Sequence, residues 1–159
     1  TENNLFQNKN FALNEVAIVK KDTSSMIKID AFINDEFLNT YWADGLIVAT
    51  PTGSTGYSLS CGGPIIMPGT DNFVITPIAQ HNLNVRPIVI DSNSIIKLKV
   101  EDRDKLALVT LDSCSRAFDS SVELTIKKAD FTINLIEPEG NTFSSTIRHK
   151  LMWGLDKRN

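Results

Sequence analysis

Cysteine is scarce in these 159 residues, and the two present, Cys61 and Cys114, follow neither a disulfide framework nor a metal-ligand spacing. They read as buried free thiols in a reducing compartment. Long apolar runs are also missing. None approaches the ~18 residues of a membrane span, and the first residues do not form a signal peptide. The cytoplasm is therefore the expected location. Positive charge is not in excess: 16 Lys and Arg face 19 Asp and Glu, for a formal net charge of −3. That balance argues against a nucleic acid or an anionic membrane recruited by bulk charge.

What remains is an ordinary globular composition, 42% hydrophobic and 22% charged, at a length that suits one domain spanning residues 1–159. A chain of this size buries roughly 70% of the surface its unfolded form exposes, so it needs no disulfide or metal to hold together. The opening "TENNLFQNKNFALNEV" has no initiator Met and enters a patterned strand after a few polar residues. It reads as a trimmed piece of a longer chain.

Period-two patterning and β-branched residues dominate, which predicts mostly strands. The expected strands run over 11–19, 26–33, 36–42, 45–49, 73–77, 87–90, 95–100, 106–111, 122–128 and 131–136. Asn34-Asp35 is a hairpin turn in this reading. "EDRDK" is expected to make a second hairpin between Val100 and Leu106, and "KKAD" to join the last two strands. Many short strands at regular spacing predict a mainly β fold, a sandwich of two sheets. Two segments depart from the pattern. Thr55 to Cys61 is expected to form one or two helical turns, stopped by Gly62-Gly63-Pro64. Phe143, Ile147, Leu151 and Met152 fall near a 3.6-residue period, predicting a C-terminal amphipathic helix that packs against something. Asn141 or Thr142 is its expected N-cap and Gly154 its expected stop.

The segment "DGLIVATPTGSTGYSLSCGGP", Asp44 to Pro64, carries the chemistry. An apolar strand ends in a loop rich in Gly, Thr and Ser, followed by a helix start. Glycines let a backbone approach a ligand closely, and free amides at a helix start favour anions. Tyr57 adds a flat ring for stacking and a hydroxyl. The segment is not a Walker A loop, because the Lys of that motif is absent. Nor is it a nucleophile elbow, since Gly56-Tyr57-Ser58-Leu59-Ser60 lacks the last glycine. A nucleotide site and a purely structural turn both remain open on these residues alone. Asn14-Glu15 interrupts an apolar alternation. An amide can read a base edge and a carboxylate can accept both hydroxyls of a ribose, or Glu15 simply faces solvent on an edge strand. His81 lies in a loop near Arg86, placed either to touch a phosphate or act as an acid or base, or to be structural or idle.

Taken together, three ordered motifs closely resemble NAD kinases, which phosphorylate NAD to NADP with ATP or polyphosphate. They are Asp44 to Pro64, "FALNEV" at Phe11 to Val16, and "PIAQHNLNVRPIVI" at Pro77 to Ile90. The terminal "LMWGLDKRN" is also similar to endings in that family, and the resemblance covers essentially the whole chain. It implies a β-rich C-terminal domain that supplies most of the NAD-binding surface. In this family an N-terminal α/β domain carries a Gly-Gly-Asp-Gly-Thr motif whose Asp is the proposed base. Carried over by position, the resemblance implies that Asn14 recognises the adenine and Glu15 the ribose hydroxyls. Thr52, Ser54, Thr55, Gly56 and Tyr57 would line the dinucleotide pocket. Asp44 would sit near the nicotinamide end, and His81 close to the phosphates. The implied partners are NAD and ATP or polyphosphate with a divalent metal such as Mg, and a second copy in a homodimer or homotetramer.

The sequence also departs from that family. No Gly-Gly-Asp-Gly-Thr occurs, so the chain is expected to be the NAD-binding half, with no catalytic residue or metal ligand of its own, and silent by itself. Gly56 stands where many members have Ala, and Asp112-Ser113 where an Asp-Gly pair is common. No role is assigned to Asp112. A lipid or diacylglycerol kinase-like domain, or a non-catalytic β-sandwich binding module, are the competing readings.

Overall fold

A computed structural model describes residues 5–7, 9–21, 25–102, 105–136, 139–140 and 142–153. Ten strands build two antiparallel sheets. They are β1 (Glu15–Lys20), β2 (Ile27–Ile33), β3 (Glu36–Ala43), β4 (Gly45–Ala49), β5 (Asn72–Ile78), β6 (Ile88–Asp91), β7 (Ile96–Glu101), β8 (Leu106–Leu111), β9 (Cys114–Asp119) and β10 (Leu124–Ile126). One sheet has the order β6-β5-β4-β1-β8-β9 and the other β10-β7-β2-β3. A 3₁₀ turn (Gly53–Thr55) and one turn of helix, α1 (Tyr57–Ser60), follow β4; α2 (Phe143–Leu151) lies at the far end.

The alternation of each strand decides the layers. Ile18, Leu46 and Ile75 of the larger sheet meet Ile29 and Leu98 of the smaller, all fully buried. Each such side chain contributes about 1.5–3 kcal/mol relative to exposure. The larger sheet has a second buried face. There Ala17, Ile47, Ala49 and Val74 form a smaller cluster, with Cys61 packed against it. β4 is buried at all five positions, which is why its sequence is a continuous apolar run rather than an alternating one.

Several expectations hold closely, including β2 through β5, β8, and the Asn34-Asp35 turn, where both residues have positive φ. Others are corrected. Residues 11–14 are not strand, because the amides of Leu13 and Asn14 go to the Asp112 carboxylate rather than to a neighbouring strand. "EDRDK" joins no hairpin pair, because β7 and β8 belong to different sheets. The expected strand over 122–128 shrinks to β10, and "KKAD" joins no pair, since 131–136 forms no strand. Its alternation is real, yet Phe131, Ile133 and Leu135 are about half exposed or more. Phe131 meets Phe11 edge-on, at 5.4 Å between ring centres.

β9 was not expected. Only Phe118 of its six residues reaches the core, so "CSRAFD" carries no apolar alternation to read. Cys114, at its start, is exposed and Cys61 half-buried, which corrects the reading of both thiols as buried. Thr142 caps α2 in a capping box with Ser145, as the sequence suggests, and Gly154 lies outside the described residues. None of the helix's residues is fully buried among the described residues, Phe143 and Ile147 are half-buried, and Met152 and Trp153 beyond it are 66% and 56% exposed. No helix among the described residues is long and apolar enough to cross a membrane.

Candidate functional site

The loop after β4 is seated against the start of β1. The Thr50 hydroxyl donates to the Leu13 carbonyl at 2.7 Å, and the Thr50 amide to the Asn14 carbonyl at 2.9 Å. The Gly53 amide donates back to Thr50 Oγ1 at 3.2 Å. Gly53 then presses on Asn14 so closely that any Cβ there would overlap the Asn14 carbonyl. Ser54 is fully buried; its hydroxyl donates to the Pro51 carbonyl at 2.7 Å and accepts from the Ile66 amide at 2.9 Å. Thr52, Gly56 and Tyr57 are exposed and Thr55 half-buried. The loop thus spends Thr50 and Ser54 on its own shape and leaves Thr52 and Thr55 to Tyr57 to face outward.

α1 is pinned to β5 by one buried contact, Ser58 Oγ to Thr76 Oγ1 at 2.8 Å. Four residues make only a small helix dipole, so anion binding here rests on individual amides more than on a macrodipole.

Glu15 lies on the same sheet face as Ala17 and Ala49, beneath this loop. One carboxylate oxygen, Oε2, is buried with no hydrogen-bond partner among the described residues. A Cβ built on Gly56 would stand 3.5 Å from it, so the orphan acceptor is close to the exposed end of the loop. Burial, and secondarily the charge of Asp112, hold the Glu15 carboxyl above its ordinary value of 4.5. A buried acceptor left unpaired is costly unless a ligand supplies the donor.

Asp44 and His81 stand at the opposite end of β4. The Asp44 amide donates to the Ile78 carbonyl and the His81 amide to the Trp42 carbonyl, each at 2.9 Å. Six residue steps of extended chain lead from Asp44 to Thr50, about 20 Å. The Asp44 carboxylate pairs with Lys20 at 2.7 Å. Burial raises the Tyr57 phenol above its ordinary value, and the charges of Cys61 and Asp44 add to that. His81 is exposed, and the Arg86 guanidinium is occupied with the carbonyls of its own loop, Leu83 and Val85.

Asn14, Glu15 and the loop from Thr52 to Tyr57 are therefore brought together, with Asp44 and His81 gathered separately. A cavity of about 700 Å³ opens beside this arrangement, between the sheets. It takes in Glu15, Thr50 and Thr52 but not Asn14 or the residues from Ser54 to Tyr57, and Phe11, Leu124 and Phe131 make its far side apolar. No group of three or more His, Cys, Asp or Glu side chains that could hold a metal is present among the described residues.

Two structural residues escaped the sequence. Thr50 was counted within the loop but given no part, and Asp112 was left without a role. The available signal for Asp112 was an Asp-Ser pair between two strand-like segments, hidden because β9 itself was not legible.

Comparison with known proteins places the chain in a family. The model of the ATP-NAD kinase C-terminal domain matches residues 13–137. NAD kinases from Christiangramia forsetii and Flavobacterium psychrophilum are 57% and 58% identical over 148 and 150 residues. Those matches cover 93% and 94% of this chain and 50% and 51% of the relatives. The chain spans about half the length of the curated relatives it matches. Among solved structures, yeast NADH kinase complexed with NADH superposes with a TM-score of 0.81 at 27% identity, covering 91% of this chain and 45% of that one. An NAD kinase from Archaeoglobus fulgidus in complex with ATP gives 0.69 at 33% identity, covering 76% and 46%. A family model that covers most of the sandwich, and relatives more than half identical across it, leave one assignment: the chain belongs to the ATP-NAD kinase C-terminal domain family.

Proposed function

We propose that this chain is the NAD-binding part of an NAD kinase, which transfers the γ-phosphoryl group of ATP to the adenosine 2′-hydroxyl of NAD. The observation that carries this reading is the orphan Oε2 of Glu15, buried beneath a Gly-rich loop that is fastened to Asn14. A ribose hydroxyl donated to that oxygen satisfies it and fixes the sugar. The Asn14 amide, one residue away, reads the adenine edge by donating and accepting together. Thr52, Thr55, Gly56 and Tyr57 line the dinucleotide, with Ser54 holding the loop from behind. Asp44 marks the nicotinamide end, about 20 Å along β4, and His81 stands near the phosphates.

In the reaction the 2′-oxygen attacks the γ-phosphorus, the bond to the bridging oxygen breaks, and ADP leaves. The hydroxyl proton passes to a base that these 159 residues do not supply as a Gly-Gly-Asp-Gly-Thr motif. This chain's work is positional. Holding the sugar at both the base and the hydroxyls presents one oxygen to the donor, a contribution that operates through orientation. A divalent metal such as Mg, held by the nucleotide's phosphates rather than by a residue assigned here, would supply charge screening at the transferred group. Assembly as a homodimer or homotetramer, polyphosphate as a second donor and a cytoplasmic location belong to the same reading.

The test is an NADP-forming assay on this chain alone and on a fusion with the first half of the Christiangramia relative. NADP formed by the fusion and lost with Asn14→Ala supports the reading. A fusion that folds and binds ATP but forms no NADP contradicts it.

A further inference from the structure

We propose that Asp112 is the positioning residue of the Asn14–Glu15 pair, clamping its backbone so that both side chains face the dinucleotide; this role rests on the NAD reading above. β8 and β9 join through a two-residue turn, Asp112-Ser113, with Leu111 and Cys114 as the last paired residues. Asp112 has φ +50°, a conformation that glycine adopts freely and that other residues adopt at a cost. A turn alone would be better served by glycine at this position.

The carboxylate supplies the reason for a non-glycine residue. Its Oδ2 accepts from the Leu13 amide at 2.8 Å, and its Oδ1 from the amides of Asn14 at 2.7 Å and Glu15 at 3.1 Å. The Asp112 amide donates to the Glu15 carbonyl at 3.1 Å. Thr50 takes the other side of the same stretch, through the carbonyls of Leu13 and Asn14. Residues 13–15 are thus held by their amides from one turn, and Leu13 and Asn14 by their carbonyls from the Gly-rich loop, just where regular strand pairing ends. Hydrogen bonds to an ionised acceptor are stronger than neutral ones. Fixing the backbone before a ligand arrives removes the ordering cost from the binding step.

The experiment compares Asp112→Gly, Asp112→Asn and Ser113→Gly in this chain by amide NMR and by calorimetric titration with NAD. In Asp112→Gly the amide resonances of Leu13, Asn14 and Glu15 move upfield and exchange faster with solvent. The β8–β9 amides stay protected, and NAD affinity falls at least tenfold. Asp112→Asn, which keeps an oxygen acceptor without the charge, falls between it and the wild type. Ser113→Gly, which alters the turn and leaves the carboxylate, stays within twofold of the wild type. Unchanged affinity in Asp112→Gly, or an equal loss in Ser113→Gly, overturns the role alone. No NAD binding either by the wild-type chain or by its fusion with the first half of a relative overturns the dinucleotide reading and this role with it.

Discussion

Gly53 packs so tightly on the backbone of Asn14 that a Cβ at residue 53 would overlap the Asn14 carbonyl oxygen. The Gly-rich loop and the Asn-Glu segment meet because this residue has no side chain. Gly53→Ala must therefore push the loop away from β1, which costs about 1–3 kcal/mol by the usual scale of overpacking. Denaturant unfolding reads the stability loss, and NAD titration reads a weakened site. A variant as stable as the wild type would show that the loop tolerates a wider gap.

Ser58 and Thr76 pair hydroxyl to hydroxyl, both fully buried. Ser58→Ala leaves the Thr76 hydroxyl unsatisfied, at about 1–3 kcal/mol. Adding Thr76→Val removes the orphan, so the double variant is expected to be more stable than Ser58→Ala alone. Urea unfolding of the four chains closes the cycle, and strict additivity would contradict the pairing.

Glu15 gives a pH dependence with a definite sign. Its native carboxyl is held above 4.5 by burial and then by Asp112, so the folded chain keeps this proton to higher pH than the unfolded chain does. The native state binds more protons in the window that opens upward from 4.5, and stability falls as pH rises through it. Glu15→Gln removes that loss. Its Tm is expected to exceed the wild type's above the window and to match it below, while NAD affinity falls because the amide is a poorer acceptor. Thermal melts across pH check this, and a variant less stable at neutral pH would contradict it.

Gly56 is a different case from Gly53. A Cβ there would sit 3.3 Å from the Gly53 carbonyl oxygen and 3.5 Å from Glu15 Oε2. The first is tight and the second ordinary, so a small shift accommodates a methyl group. Gly56→Ala is expected to change stability by no more than about 1 kcal/mol, with the space over Glu15 narrowed. Loss of the fold would show that the loop has no such play.

Much of the sandwich was legible because half-buried strands advertise themselves by alternation. Ile27, Ile29 and Ala31 point inward on β2 and are all fully buried, and their spacing alone predicts the strand. The same rule failed at 131–136, where Phe131, Ile133 and Leu135 alternate without a partner strand among the described residues. It failed in the opposite sense at β9, which is held by the ladder to β8 with one core side chain. At the site, the loop and Asn14-Glu15 could be picked out by their chemistry. The clamp could not: Asp112 reaches Asn14 across 98 positions in sequence, and only the fold makes them neighbours.

The central claim is that the dinucleotide binds where Asn14 and Glu15 meet the Gly-rich loop, and calorimetric titration of NAD into this chain tests it most directly. The account predicts saturable binding of one NAD per chain, abolished by Asn14→Ala. Binding of equal strength in Asn14→Ala, or no binding either by this chain or by its fusion with the first half of a relative, would contradict it.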